Sequence, residues 1–146
     1  MRWTIKTIER WGEVKGLIKS ELTPKQYLKF LEEVGETAKA LLKGDTPEII
    51  DGFGDIAVTI IILNAQFGQT LLKDIPDEIN YKPGEFTWDD LFAAVRLEFV
   101  DPYALNILRG ICGDFGYELE PCVQEAWKVI ENRTGKMVNG TFVKDK

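Results

Sequence analysis

The fold is decided by the stretch TPEIIDGFGDIAVTIIILNAQF, residues 46–67. Proline at the first position of a helix loses no hydrogen bond, so Thr46-Pro47 predicts a helix start. Residues 56–63 are apolar around nearly the whole helical circumference except at Thr59, which predicts a helix buried on most sides. Gly68 is a typical stop signal. These residues therefore predict one long, central helix.

A second helix is predicted directly upstream. Thr23-Pro24 is another start signal of the same kind, and Gly44 follows Lys43 where a left-handed residue would end the helix. The connection between residues 43 and 46 is too short for anything but a tight reversal. The two helices should therefore form an antiparallel hairpin.

The rest of the chain contains weaker helix signals and one clear turn. Further helices are predicted from Trp3 to Ile18, near Trp88 to Phe99, from Pro102 to Phe115 and from Pro121 to about Arg133, with a loop at Pro76 and Pro83. Asn139-Gly140 between two short apolar runs predicts a hairpin turn. We expect an all-α antiparallel helical bundle of about four to six helices with a short C-terminal β-hairpin or extended tail. It should form one domain over residues 1–146, with an extra segment at about 69–115.

Composition excludes several classes of function. The 146 residues contain no histidine, which removes histidine-based catalysis and histidine metal ligands. A net charge of −6 opposes binding to polymeric nucleic acid. No apolar run is long enough to cross a bilayer, and Cys112 and Cys122 fit reduced core thiols rather than a disulfide scaffold. A cytoplasmic protein without a membrane partner is expected.

Five carboxylates are the main candidates for chemistry. Glu32, Glu33 and Glu36 fall within one arc of the first hairpin helix, and Asp51 and Asp55 share a face of the second. The first group alone would be an ordinary solvated face. A rise of about 1.5 Å per residue brings Asp55 level with Glu36, however, so the two groups should meet. Crowded carboxylates need protons or a cation, and oxygen ligands favour Mg²⁺, with Mn²⁺ possible.

Two groups of motifs resemble a known family. They are Leu31-Glu32-Glu33-Val34-Gly35-Glu36 followed by Asp51-Gly52-Phe53-Gly54-Asp55, and Ala126-Trp127-Lys128 followed by residues 132–144. In that order they resemble the MazG-like branch of the all-α nucleoside triphosphate pyrophosphohydrolases, across roughly residues 3–68 and 116–144. The resemblance implies Mg²⁺-dependent hydrolysis of a nucleoside triphosphate at the α-phosphorus, which yields a nucleoside monophosphate and pyrophosphate.

The resemblance assigns roles to the acids one by one. Glu32, Glu33, Glu36 and Asp55 match the family's metal ligands, and Glu32 or Glu33 would orient or deprotonate the attacking water. The chain departs from the family at Gly52, where an acid is expected, and Asp51 is the candidate replacement, as in phage-type relatives. The long segment from about 69 to 115 is a further departure, consistent with a lid, a dimer contact or an extra packing layer.

Basic and amide side chains should complete the phosphate site. The candidates are Lys29 on the acidic face and, around the end of the last helix, Lys128, Asn132, Arg133 and Lys136. Each has a simpler explanation. The only role of Lys29 could be an ion pair with Glu33. Basic residues at a helix C-terminus already complement the helix dipole, which would explain the others.

The family also implies self-association, as a homodimer or homotetramer, and residence in the cytoplasm, the host's if the chain is phage-encoded. Two alternatives remain open. One is a non-catalytic helical protein that binds metal or nucleotide for regulation. The other is an acidic interaction protein that imitates nucleic acid, which fits the charge but does not explain acids on a buried helix.

Overall fold

A computed structural model describes residues 1–69 and 82–145. This part of the chain is mostly helical, with α1 (Arg2–Val14), α2 (Thr23–Lys43), α3 (Thr46–Gln66), α4 (Trp88–Ala94), α5 (Ala104–Asp114) and α6 (Leu119–Ile130). A short 3-10 turn, Ser20–Leu22, precedes α2. Two antiparallel hairpins are formed by β1 (Val95–Arg96) with β2 (Phe99–Val100), and by β3 (Gly135–Val138) with β4 (Thr141–Lys144).

The predicted helical pair is confirmed to within one residue at each end. Gly44 closes α2 with φ +69°, a conformation that glycine adopts without steric cost. Asp45 then caps α3, where its side chain accepts a hydrogen bond from the Glu48 N–H at 3.3 Å. The chain therefore reverses within two residues and lays α3 back along α2.

The helix α3 is the centre of the packing, as its apolar sequence predicts. It contacts α1, α2, α5 and α6. Phe53, Ile56, Ile60, Ile61 and Leu63 are fully buried within the core that these helices share. Asp55 therefore lies on a helix that is enclosed on most sides.

Four predicted helices extend too far. The helix predicted from Pro102 to Phe115 spans Ala104–Asp114, and the helix predicted from Pro121 to about Arg133 spans Leu119–Ile130. The helix predicted to reach Phe99 ends at Ala94, because Val95 to Val100 forms the β1–β2 hairpin. The Asp101 N–H, just after this hairpin, donates a hydrogen bond to the Ala94 carbonyl at 2.7 Å. The first helix ends at Val14 rather than Ile18, because Gly16 takes φ +76° and turns the chain.

Some side chains predicted to lie in the core are exposed. Trp3 is 71% exposed, although its spacing matches that of core residues. On α2, helical periodicity groups Leu28, Leu31 and Leu42 on the apolar side, opposite the glutamates, and so predicts them in the core, yet all three are exposed. The side that α2 buries is instead centred on Phe30, Thr37 and Ala40.

The C-terminal hairpin confirms the Asn-Gly turn prediction. Asn139 and Gly140 have φ of +51° and +78°, as two-residue hairpin turns of this type require. The hairpin packs on α1, where Phe142 meets Trp11 edge-on at a ring distance of 5.9 Å. At its turn, Gly140 lies beside Leu22 and Lys25, so the hairpin also covers the beginning of α2.

Cys112 and Cys122 are buried and free, which confirms their assignment as core thiols. None of the helices in the described ranges combines the length and hydropathy that a bilayer crossing requires. The predicted loop at Pro76 lies outside the described residues.

Candidate active site

Asp55 borders two cavities. The first has a volume of about 320 Å³ and lies between α1, α2, α3, the end of α6 and the C-terminal hairpin. The second, about 370 Å³, lies over the turn between α2 and α3. Because Asp55 lines both, it lies between them.

The first cavity contains two acids with unusual proton affinity. Burial raises the pKa of Glu33 to about 7, and the negative charges of Asp55 and Glu36 add to the rise. Burial likewise raises the pKa of Asp55 to about 6, with a further contribution from Asp51 and an opposing one from Arg133. Oε2 of Glu33 is enclosed and has no hydrogen-bond partner among the described residues. These groups are therefore poised to hold a proton or a cation near neutral pH.

The second cavity brings together acids from both helices. Glu36 of α2 faces Asp51 and Asp55 of α3, with Glu48 also in the lining. The predicted meeting of the two acidic faces is thus confirmed for Glu36 and Asp55. Lys39 and Lys43 line the same cavity and partly balance the charge.

Two glycines set the position of Asp55. A Cβ at Gly52 would overlap the Thr37 hydroxyl oxygen on α2, and a Cβ at Gly54 would overlap the carbonyl oxygen of Cys122 on α6. The first is a contact with a side chain and the second a contact with the backbone, and a side chain at either glycine would prevent it. Asp55 is consequently held between α2 and α6, and the acid that the family pattern expects at residue 52 has no room there.

The first cavity is rich in positive charge although the chain as a whole is acidic. Lys25, Lys29, Arg133 and Lys144 all line it, against the two acids Glu33 and Asp55. Four cations around one cavity attract an anion. Lys29 and Arg133 partly offset the negative charge of Glu33 and Asp55.

The remaining wall is largely apolar and includes one buried amide. Trp11 and Phe142 form part of it, together with Leu17, Leu22, Val58, Ile62 and Ile130. Gln66 also lines the cavity and is only 6% exposed; its Nε2 donates to the Leu17 carbonyl at 2.9 Å. Oε1 of Gln66 has no partner among the described residues. Apolar walls with a few polar groups are typical of small-molecule sites.

The structure does not bring all of the predicted residues together. Glu32 lines neither cavity and pairs with Lys29 at 2.6 Å, and Lys128 pairs with Glu125 at 2.9 Å on the surface of α6. Asn132 and Lys136 are exposed and lie outside both linings. Of the predicted substrate-binding residues, Lys29 and Arg133 line the first cavity.

Several lining residues were not predicted as site residues. Lys25 could have been found, because it lies two turns before Glu33 on the same face as Lys29. Thr141, Phe142 and Lys144 lie far away in sequence and reach the cavity only because the C-terminal hairpin folds over it. Neither periodicity nor motif spacing predicts a contact between segments so far apart in the sequence.

Oxygen ligands are available for a metal, but they are not arranged as a closed cage. Within residues 1–69 and 82–145 no three acidic or cysteine side chains converge closely enough to hold an ion. The acids that could move towards one another are Glu33, Glu36, Asp51 and Asp55, all at or beside the same stretch of the α2–α3 hairpin. Such a donor set, without nitrogen or sulfur, fits Mg²⁺ or Mn²⁺.

Comparisons with known proteins add one relative. A stretch of 62 residues is 37% identical to an uncharacterized 18.2 kDa protein in the rep-hol intergenic region of Haemophilus phage HP1. The match spans 42% of this chain and 38% of the phage protein. No family model matches the chain, and no solved structure matches it.

Proposed function

We propose that this protein is a Mg²⁺-dependent nucleoside triphosphate pyrophosphohydrolase. The observation that carries the proposal is the lining of the first cavity, which Glu33 and Asp55 share with four basic side chains and an apolar wall. A triphosphate carries about four negative charges, and the base of the nucleoside has flat faces on which aromatic side chains can stack. The cavity offers a counterpart to each part.

The proposed fold is an antiparallel bundle of the all-α pyrophosphohydrolase type. Support comes from the tight α2–α3 hairpin and from the central position of α3, which contacts α1, α5 and α6 as well. The motif resemblance supports the same arrangement. Self-association as a homodimer or homotetramer, and residence in the cytoplasm, are part of this proposal.

The residues around the cavity have three proposed roles. Lys25, Lys29, Arg133 and Lys144 bind the phosphate chain through charge. Glu33, Glu36, Asp51 and Asp55 would hold the divalent ion, which when bound neutralises phosphate charge and favours departure of pyrophosphate. Trp11 and Phe142 would contact the base.

Glu33 is the proposed general base. Its carboxylate lines the first cavity, and its Oε2 has no hydrogen-bond partner among the described residues, so this oxygen is available to accept a proton from water. The water oxygen forms a bond to the α-phosphorus while the bond from that phosphorus to the bridging oxygen breaks. The proton goes to Glu33, and pyrophosphate leaves with the electron pair.

A nucleotide-binding regulatory protein is the second candidate. It is favoured by the four basic side chains, which could neutralise a triphosphate without a metal and therefore without turnover. It would bind nucleotides in EDTA as tightly as in Mg²⁺.

The deciding experiment is hydrolysis of a panel of NTPs and dNTPs with Mg²⁺ or EDTA, with monophosphate and pyrophosphate both measured. We expect equal amounts of the two products from at least one nucleotide, in Mg²⁺ only. Asp55→Asn should reduce the rate by about 100-fold or more while leaving the fold intact. The exposed Asp89→Asn is the matched control and should retain full activity. No turnover of any nucleotide by folded protein would refute the proposal.

A further inference from the structure

The amide of Gln66 has one end bonded and one end free. Gln66 is the last residue of α3, lines the first cavity and is only 6% exposed. Its Nε2 donates to the Leu17 carbonyl at 2.9 Å, and because a carbonyl oxygen can only accept, the nitrogen end of the amide must face Leu17. Oε1 is the other end, and it has no hydrogen-bond partner among the described residues. Gln66 therefore presents a fixed acceptor and no free donor.

Trp11 has an unused donor at the same cavity. Its indole Nε1 is enclosed and has no partner in the part of the chain that the structure describes. Trp11 and Gln66 both line the first cavity. They come from two helices that touch, since a Cβ at Gly12 of α1 would lie 2.6 Å from Cδ1 of Ile62 on α3. An enclosed donor or acceptor without a partner costs free energy, which a ligand with the complementary groups would recover.

The surroundings of these two groups suit a nucleotide base. Phe142 packs edge-on against Trp11, and the apolar side chain of Leu17 lines the same cavity. Asp55 precedes Gln66 by eleven residues on α3, which is about 16 Å along the helix axis. A nucleotide with its α-phosphorus near Asp55 would therefore have its base, and not its phosphates, beside Gln66.

We propose that Gln66 and Trp11 select the base of the nucleoside triphosphate, and that they favour bases with an amino group on the outer edge, namely cytosine and adenine. The inference rests on the proposed function, because it takes the ligand to be a nucleotide. In both bases the exocyclic amino group would donate to Oε1 of Gln66. The adjacent ring nitrogen, which has no hydrogen, would accept from Nε1 of Trp11.

Uracil and hypoxanthine have the opposite pattern of donors and acceptors. A carbonyl oxygen replaces the amino group, and the adjacent ring nitrogen carries a hydrogen. The exocyclic oxygen projects beyond the ring and would meet the Gln66 acceptor first, while the ring N–H would face the Trp11 donor. Gln66 cannot turn its amide over without losing the bond to Leu17. A site whose buried polar groups are left unpaired discriminates strongly against the wrong ligand.

Hydrolysis of matched nucleotide pairs tests the selection. CTP and UTP differ only at this edge, as do ATP and ITP, and the ribo- and deoxynucleotides of each are assayed with Mg²⁺. We expect kcat/KM to be about 30-fold higher for the amino member of each pair that is hydrolysed.

Variants assign the selection to these two residues. Gln66→Leu is similar in size but has no acceptor, and it should reduce the ratio within a pair to about threefold or less. Trp11→Phe keeps an aromatic ring without the donor and should lower the ratio by about fivefold, which tests the inference even if Gln66→Leu does not fold. Thr59→Val is the matched control. Thr59 also lines the cavity from α3, but its hydroxyl donates to the Ile56 carbonyl, so the variant should keep the wild-type ratio.

Binding separates this inference from the proposed function. Titration calorimetry in Mg²⁺ with α,β-methylene analogues of the same four nucleotides, which resist hydrolysis, gives each Kd without turnover. Tighter binding of the amino members with no hydrolysis of any nucleotide would refute the proposed function and support the selection. Equal kcat/KM and equal Kd within each pair, or a preference for UTP and ITP, would overturn the selection and leave the proposed function intact. A ratio unchanged in both Gln66→Leu and Trp11→Phe would also overturn it.

Discussion

Gly52 of α3 lies against Thr37 of α2 so closely that a Cβ at residue 52 would overlap the Thr37 hydroxyl oxygen and lie 3.0 Å from its Cβ. The contact explains the difference between this chain and the motif it resembles. The helices approach too closely here for any side chain, so the nearest acid is Asp51, which faces the second cavity. The absent acid is thus a consequence of packing.

Side chains at residue 52 should destabilise the fold. Gly52→Ala and Gly52→Glu are expected to lower the free energy of unfolding by about 1–3 kcal/mol, because α2 and α3 must separate. Urea unfolding measures the change. Gly113→Ala, on α5, is the control, since a Cβ there meets nothing within 4 Å, and it should be neutral or slightly stabilising. Equal stability of Gly52→Ala and wild type would show that the contact is not tight.

The two raised pKa values predict a specific pH dependence. Between about pH 4 and 7 the folded chain keeps protons on Glu33 and Asp55 that the unfolded chain releases, so their ionisation lowers stability as the pH rises through this window. Glu33→Gln and Asp55→Asn remove this loss. Each variant should therefore gain stability relative to wild type between pH 5 and pH 8, measured by thermal unfolding in EDTA.

The control for this comparison is Glu98→Gln, because Glu98 is exposed. Its stability relative to wild type should not change between the two pH values. Mg²⁺ at pH 8 should stabilise the wild type and have little effect on Asp55→Asn, because the ion would relieve the repulsion between carboxylates. A constant difference between Glu33→Gln and wild type across this range would contradict the raised pKa of Glu33.

Phosphate binding should depend on the cations that line the first cavity. Lys29→Gln and Arg133→Gln are each expected to raise the KM for a nucleoside triphosphate by about tenfold, because a buried anion loses one charge partner. Lys128→Gln should change KM less than twofold, since Lys128 is exposed and pairs with Glu125. Initial rates over a range of nucleotide concentrations give these values. An effect of Lys128→Gln equal to that of Arg133→Gln would favour a site at the end of α6 instead.

The C-terminal hairpin should be necessary for affinity. Phe142→Ala removes the ring that lines the cavity and contacts Trp11, so the Kd for a nucleotide should rise by about tenfold. Val143→Ala is the neighbouring control, because Val143 is exposed and outside the cavity lining. Titration calorimetry with a non-hydrolysable triphosphate analogue measures both. Equal affinities in the two variants would exclude the hairpin from the binding site.

The sequence by itself determined the α2–α3 hairpin and the acidic groups on it. Proline and glycine fixed the helix ends to within one residue, and the regular rise of a helix made Glu36 and Asp55 neighbours across the turn. These are local effects, because each depends on residues a few positions apart or on a connection only two residues long.

Tertiary structure alone decided which side chains surround the first cavity. Phe142 and Lys144 reach it from the C-terminal hairpin, whereas Lys128 does not, although all three lie in the motif that carries the resemblance. The same applies to α2: periodicity identified Leu28 and Leu42 as apolar positions but could not show that the core leaves them exposed. Helical periodicity gives the direction in which a side chain leaves the axis of its own helix. What lies in that direction depends on how segments that are far apart in the sequence pack together, and the local sequence does not specify that packing.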